Sequence, residues 1–200
     1  MATATRVACV ILAGGVSSRM GRPKALLETD DGRSFLEHIA TSYREAGVRE
    51  RVLVLNSELA KGPSADIARA QGLWVVVNNT PWLGKWHSLR LGMSALRDAT
   101  YCFLQHVDQP GVDRAVLWQL REAANESGYA VPVHSGRGGH PILLSRPIIH
   151  RLASLEADNH LRELLQGYPR TEVQVGAPGV LVDINTPEDY AAFRIRATVP

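Results

Sequence analysis

Two hundred residues, 45% hydrophobic and 21% charged, are enough for one α/β domain with a sizeable core, and one domain over 1–200 is the expectation. A formal net charge of +2 excludes a general nucleic-acid binder, which needs a concentrated basic face. No apolar run approaches a membrane span and Met1-Ala-Thr-Ala-Thr5 lacks an apolar signal region, so no membrane association and a cytoplasmic location are expected. Cys9 and Cys102 both sit in apolar runs, which reads as buried free thiols, and their number and spacing match no metal motif.

The first strand is predicted over 6–12. It runs into Leu12-Ala-Gly-Gly-Val-Ser-Ser-Arg-Met-Gly-Arg-Pro-Lys24, a long loop of the kind that is usually functional. Gly14 and Gly15 let a ligand approach the main chain, whose successive N–H groups can form an anion-binding concavity. Ser17 and Ser18 add hydroxyl donors, Arg19 a planar fork for phosphate oxygens, and Lys24 a mobile point charge. Pro23 stiffens the chain just before Lys24. The pattern is neither Gly-x4-Gly-Lys-Ser/Thr nor Gly-x-Gly-x-x-Gly, and it points to phosphate.

A helix over 34–46 follows, with Ser34 as cap and Glu37 at the capping-box offset. A strand over 51–55, a short helix over 65–71 and a strand over 73–77 come next. The polar loop 78–88 carries Trp82 and Trp86, which read first as packing residues, and leads into a helix over 88–97. Ser88 would then sit where helix N–H groups point outward, a ready anion site. A strand over 100–107 ends at Asp108, just past its carboxyl end, where ligands bind in open α/β sheets. A helix over 112–127, a strand over 129–133, the loop Arg137-Gly-Gly-His-Pro141 and a strand over 142–144 follow; His140 is a credible ligand contact in a shaped turn. Helices over 146–155 and 161–166, the second capped by Asp158, precede strands over 172–176 and 180–184. Thr186 and Pro187 open a last helix, leaving Asp183 and Asn185 as possible ligands before it. This alternation predicts an α/β fold, a mostly parallel central sheet with helices on both faces.

A basic phosphate loop calls for acidic groups that hold a divalent cation. Mg²⁺ prefers oxygen and takes one or two protein carboxylates plus phosphates, and Asp108 and Asp183 are the candidates. Arg19, Lys24 and Asp108 would then carry catalysis by positioning and charge stabilisation. A phosphate nucleophile is already ionised at neutral pH, so no general base is needed.

The loop from Leu12 to Leu27 resembles the signature of the MobA-like nucleotidyltransferases, and Pro23-Lys-Ala-Leu-Leu27 resembles their molybdenum-cofactor cytidylyltransferase branch. Asn79 to Gly92 is similar to the family's Asn-x-x-Trp-x-x-Gly-x-x-Ser-Ser-Leu-x-x-Gly segment. Val107-Asp-Gln-Pro110, the Gly-His-Pro run ending at Pro141 and Val182-Asp-Ile-Asn-Thr-Pro-Glu-Asp189 resemble its metal, Gly-His-Pro and closing motifs. The resemblance implies a Rossmann-like nucleotidyltransferase fold and Mg²⁺-dependent transfer of CMP from CTP to molybdopterin, releasing pyrophosphate. GMP transfer from GTP, or transfer to another small phosphorylated acceptor, is the alternative within this class. Outside it stands a non-catalytic carrier of molybdenum cofactor serving a molybdenum hydroxylase. An NAD-dependent oxidoreductase is disfavoured, because no acid closes the second strand.

By the same resemblance Leu12, Ala13, Gly14, Gly15, Ser17, Ser18, Arg19, Lys24, Asn79, Ser88 and Asp108 would face the nucleotide. Trp86, His87, Gly139, His140 and Asn185 would face the acceptor, and Asp108 and Asp183 the metal. His87 replaces the first Ser of the family's Ser-Ser pair, and Glu156-Ala-Asp-Asn-His160 stands where cytidylyltransferases carry Gly-Asp-x-Gly-Ala-Arg. A monomer or weak dimer is expected.

Overall fold

The computed structural model describes residues 5–15, 17, 19–155 and 160–197; the expected caps and contacts at Ser18 and Asp158 lie outside these residues. β1 (Val7–Leu12) sends Cys9 and Ile11 to one face and Ala8 and Val10 to the other, all fully buried. A strand apolar on both sides must be covered twice, which makes it central. α1 (Phe35–Glu45) covers the first face with Phe35, Leu36, Ile39 and Tyr43. Its start is the expected capping box: Glu37 N–H donates to Ser34 Oγ at 3.2 Å, and Ser34 N–H donates to Glu37 Oε2 at 2.8 Å.

β2 (Glu50–Asn56), α2 (Pro63–Ala70) and β3 (Trp74–Asn78) extend the sheet to one side. α3 (Gly84–Ser94) then crosses the second face, where Leu89 and Met93 pack with Val10, Val54 and Leu104. β4 (Tyr101–His106) pairs with β1 in parallel, and α4 (Arg114–Glu122) returns to the first face through Val116, Leu117 and Leu120. β5 (Tyr129–His134), β6 (Arg137–Gly138) and β7 (Ile142–Ser145) form an antiparallel group. α5 (Arg146–Ser154) and α6 (Leu161–Leu165) pack on the second face, β8 (Arg170–Gln174) pairs with β5 in parallel, and α7 (Pro187–Ala197) closes the chain.

The strand order is β3-β2-β1-β4-β7-β5-β6, with β8 on β5. The sheet is mixed but mostly parallel, with helices on both faces. β7 runs antiparallel between β4 and β5, because the short hairpin 134–142 cannot hold the crossover that a parallel strand needs. No helix among the described residues is long and apolar enough to cross a membrane.

Three expected elements differ, one of them the helix expected over 88–97, which is observed as α3. The strand over 180–184 is instead a 3₁₀ turn, Pro178–Leu181, followed by extended chain. Its backbone groups serve separate loops and form no ladder: Val180 C=O accepts His140 N–H at 2.9 Å, and Ile184 N–H donates to Asp108 C=O at 2.9 Å. The helix over 112–127 shrinks to α4. Asp113 Oδ1 accepts Ala115 N–H at 2.7 Å and starts it late, while Asn125 Oδ1 accepts Ser127 N–H at 2.9 Å in a turn beyond its end.

Candidate active site

β1 and β4 end side by side, Leu12 opposite His106, and the chain that leaves each of them forms the site. The glycine bend is anchored on β2: Ala13 N–H donates to Val54 C=O at 3.0 Å, and Asn56 Nδ2 donates to Gly14 C=O at 3.2 Å. A Cβ on Gly14 would lie 3.3 Å from Asn56 N, tighter than side chains ordinarily pack, so glycine keeps the bend down on the strand. Ser17, at φ +47°, takes the N–H groups of Met20 (3.0 Å) and Gly21 (3.2 Å) on its carbonyl. Its Oγ accepts Lys24 N–H at 3.4 Å. The loop is folded on itself, and Lys24 is delivered to its mouth.

There the Lys24 ammonium donates to Asp108 Oδ2 at 2.9 Å and to Asn185 Oδ1 at 2.7 Å. These partners lie 84 and 161 residues away in sequence. Asp108 sits in a turn pinned from below by Gln105, fully buried on β4. Gln105 Nε2 donates to the carbonyls of His106 (2.7 Å) and Gln109 (2.9 Å), and its Oε1 accepts the Tyr43 hydroxyl at 3.0 Å. Asn185 precedes a second capping box: Asp189 Oδ2 accepts the N–H groups of Asn185 and Thr186, each at 2.9 Å, and Thr186 Oγ1 accepts Asp189 N–H at 3.2 Å. Those backbone N–H groups hold the Asp189 carboxyl below its ordinary range.

A cavity of about 280 Å³ opens at this point. Leu12, Ala13, Gly14, Gly15, Ser17 and Arg19 line one wall; Lys24, Ser88, Asp108 and Asn185 line the rest with Pro81, Gly84, Lys85, His106 and Val107. A second cavity of about 1230 Å³ adjoins it, walled by Trp82, Trp86 and Tyr129 among aromatics and by Gly139, His140, His160, Arg162 and Arg170 among the rest. Leu12, Gly84, Lys85 and His106 belong to both and form the seam between them.

Ten of the expected residues therefore meet at the smaller cavity, Asn185 among them although it was expected on the acceptor side, and Trp86, Gly139 and His140 line the larger. Three expected residues lie elsewhere. Asn79 is exposed and accepts the Ser57 hydroxyl at 2.8 Å; its buried neighbour Asn78 is the one that reaches the site, Nδ2 donating to Ser88 Oγ at 2.9 Å. His87 lines neither cavity, and its Nδ1 lies 3.5 Å from Arg90. Asp183 is exposed and lines neither cavity, although its charge reaches His140.

Sequence reasoning passed over Lys85, His106, Arg162, Arg170 and the buried clamp Gln105. Ser88, a common cap residue, predicts a helix start at 88 and so hides Lys85. α3 begins four residues earlier, at Gly84 (φ +84°), so Ser88 lies in its second turn and the outward N–H groups belong to the turn before it. The pair Gly84-Lys85 after Pro81 is the signal that could have shown this.

His106 and His140 meet edge to face, ring centroids 5.1 Å apart. Burial pushes the His106 imidazole below its ordinary value, as do the charges of Lys85 and Lys24, while Asp108 opposes them. Burial and the neighbouring His106 push His140 down to about 4, against the pull of Asp183 and Asp108. Among the described residues no group of three or more His, Cys, Asp or Glu is placed to hold a metal. What the site offers a cation is oxygen: one carboxylate and one amide carbonyl already converging on a single ammonium.

Residues 9–174 match the model of the MobA-like NTP transferase domain. The chain is 25% identical over 193 residues to the molybdenum cofactor cytidylyltransferase of Escherichia coli (strain K12), covering 95% of this chain and 96% of that one. It is 30% identical over 207 residues to the molybdenum cofactor guanylyltransferase of Rhizobium meliloti (strain 1021), covering 93% and 89%. The crystal structure of Rv0371c from Mycobacterium tuberculosis H37Rv superposes with a TM-score of 0.80 at 30% identity over 96% of this chain and 99% of that one. The complex of that protein with manganese gives 0.75 at 29% identity, over 96% and 100%. A phosphate-type glycine bend, a lysine joined to an aspartate and an asparagine at its mouth, and a match over most of the chain agree: the chain belongs to the MobA-like NTP transferase family, whose members are nucleotidyltransferases.

Proposed function

We propose that this enzyme transfers CMP from CTP to a molybdopterin-type acceptor through the acceptor's phosphate and releases pyrophosphate. The observation that carries the reading is the meeting of Lys24, Asp108 and Asn185 at the glycine bend. The smaller cavity takes the triphosphate: backbone N–H groups of the bend, Arg19 and Lys24 face its oxygens. The larger cavity, with its aromatic wall and basic rim, takes the acceptor. An acceptor phosphate oxygen attacks the α-phosphorus, a new P–O bond forms, and the bond to the β-phosphate breaks with its electron pair leaving on pyrophosphate. Lys24 and Arg19 neutralise the charge that grows on the leaving group. Asp108 and Asn185 supply oxygen ligands that suit Mg²⁺, which when bound would hold triphosphate oxygens and share that neutralisation.

CTP is favoured by Pro23-Lys-Ala-Leu-Leu27 and by the cytidylyltransferase relative matched over nearly its whole length. GTP is the second reading, carried by the 30% identity to a guanylyltransferase. Pyrophosphate release by the purified enzyme with Mg²⁺, molybdopterin and either CTP or GTP tests both. Release with CTP and not GTP is expected; release with GTP alone replaces the base assignment, and release with neither overturns the acceptor assignment.

A further inference from the structure

Lys24 is held at its tip by Asp108 and Asn185, and α7 holds its main chain as well. In the first turn of that helix the Tyr190 hydroxyl accepts Glu28 N–H at 3.2 Å and donates to Glu28 C=O at 3.0 Å. One side-chain oxygen thus does for Glu28 what a neighbouring strand would do, pairing with both of its main-chain groups. On the other side of Lys24 in the chain, the Arg22 guanidinium lies over the Tyr190 ring, 5.1 Å from its centroid. An edge-to-face contact with buried Phe35, centroids 6.0 Å apart, seats the ring itself against α1. One turn further along α7, Arg194 donates to Thr29 C=O at 2.6 Å.

Between these two points Lys24 has little slack. Pro23 stands at φ −59°, the 3₁₀ turn Lys24–Leu26 follows at once, and Leu27 N–H donates back to Lys24 C=O at 3.1 Å. The helix side is equally stiff: Asp189 holds Asn185 N–H, and Tyr190 N–H donates to Thr186 C=O at 3.1 Å. One helix therefore meets the Lys24 ammonium through Asn185, just before its start, and the Lys24 backbone through its first turn. Glu28 is exposed, so water could take over both of its groups if the hydroxyl were absent. The fold does not need this contact; the place of Lys24 does.

We propose that Tyr190 is a positioning residue for Lys24. Through Glu28 and Arg22 it fixes where the chain of the lysine stands, and so how the ammonium meets Asp108, Asn185 and a bound phosphate. A misplacement of about 1 Å in a group that acts on the reacting phosphates is enough to slow a reaction severely. The effect on rate rests on the nucleotidyl-transfer reading, whereas the effect on Lys24 does not.

Two measurements on Tyr190→Phe test this, beside circular dichroism to show that the variant is folded. The substitution keeps the ring, the Phe35 contact and the Arg22 stack and loses only the hydroxyl. The first measurement is competitive acetylation read by mass spectrometry, with exposed Lys61 as internal standard. Lys24, whose side chain is 12% exposed and paired, should react about fivefold faster relative to Lys61 in the variant than in wild type. The second is transfer from CTP to molybdopterin by wild type, Tyr190→Phe, Lys24→Ala and the double variant. Tyr190→Phe should lower kcat by about tenfold when Lys24 is present and add nothing in the Lys24→Ala background, where no lysine is left to position. Arg22→Met, which removes only the exposed stack, should move both readouts in the same direction by about twofold. An unchanged Lys24 labelling ratio overturns the inference. So does a kcat loss as large without Lys24 as with it, which is what a merely structural tyrosine would give. A wild type that transfers nothing from CTP or GTP overturns instead the nucleotidyl-transfer reading, and the labelling ratio still decides whether Tyr190 positions Lys24.

Discussion

Lys24 holds the site together before any substrate arrives. Its ammonium is largely buried between Asp108 and Asn185, where three groups from distant parts of the chain cancel one another's desolvation. Lys24→Ala should therefore lower kcat by about a hundredfold or more while the protein stays folded, measured by pyrophosphate release beside circular dichroism. Asn185→Ala should cost more activity than Asp183→Ala, because only Asn185 lines the cavity. His140 gives a stability prediction with a definite sign. Its value falls from 6.5 when unfolded to about 4 when folded, so the unfolded chain binds the proton more readily between those limits. Stability should be full above about pH 6.5 and should drop as pH falls towards 4, by about 2–3 kcal/mol from this group. His106, lowered for the same reason, acts in the same direction. Urea unfolding at a series of pH values checks this, and the slope should flatten in His140→Gln.

The elements are set by short-range chemistry where a local signal exists and by packing where it does not. Ser34 and Glu37 announce α1, and Thr186, Pro187 and Asp189 announce α7; both starts form as the residues dictate. α3 has no capping side chain and no acid at its true start, and only Gly84-Lys85 after Pro81 marks it. The same helix lies tight on the sheet: a Cβ on Gly92 would fall 2.5 Å from Val10 Cγ1 and 3.0 Å from Val54 Cγ2. Gly92→Ala should cost about 1–3 kcal/mol in denaturant unfolding, despite alanine's better helix propensity. Gln105 is invisible to periodicity, since it reads as one polar residue in an apolar strand. Gln105→Leu would strand two loop carbonyls and the Tyr43 hydroxyl, and should cost at least about 2 kcal/mol, with a fall in kcat as the Asp108 turn loosens.

Across the molecule, the site lies where β1 and β4 end side by side in parallel, and Arg19, Lys24, Lys85, Asp108 and Asn185 line one cavity there. On the proposed reading, a cation held by one carboxylate and one amide oxygen would depend on the nucleotide's phosphates for the rest of its shell. Mg²⁺ alone should leave the melting temperature unchanged. Mg²⁺ with CTP at a hundred times its Kd should stabilise the fold by about 2.7 kcal/mol, and a chelator should remove most of that gain without unfolding the protein. A rise in melting temperature with Mg²⁺ alone would show instead a site complete without nucleotide.

Composition and periodicity were sufficient for the fold class and for most strands and helices, and the glycine-basic loop for where the first loop brings its charged groups. These rest on interactions between residues a few positions apart: a two-residue alternation, a cap, a backbone without Cβ. Distance made the rest unreadable. That Asn185 and not Asp183 joins Asp108, that Asn78 and not Asn79 reaches Ser88, and that Lys85 stands on the seam all depend on which way neighbouring residues turn once the chain is packed. Adjacent positions on a loop differ by a rotation that no local preference sets, and only burial against strands far along the chain chooses between them.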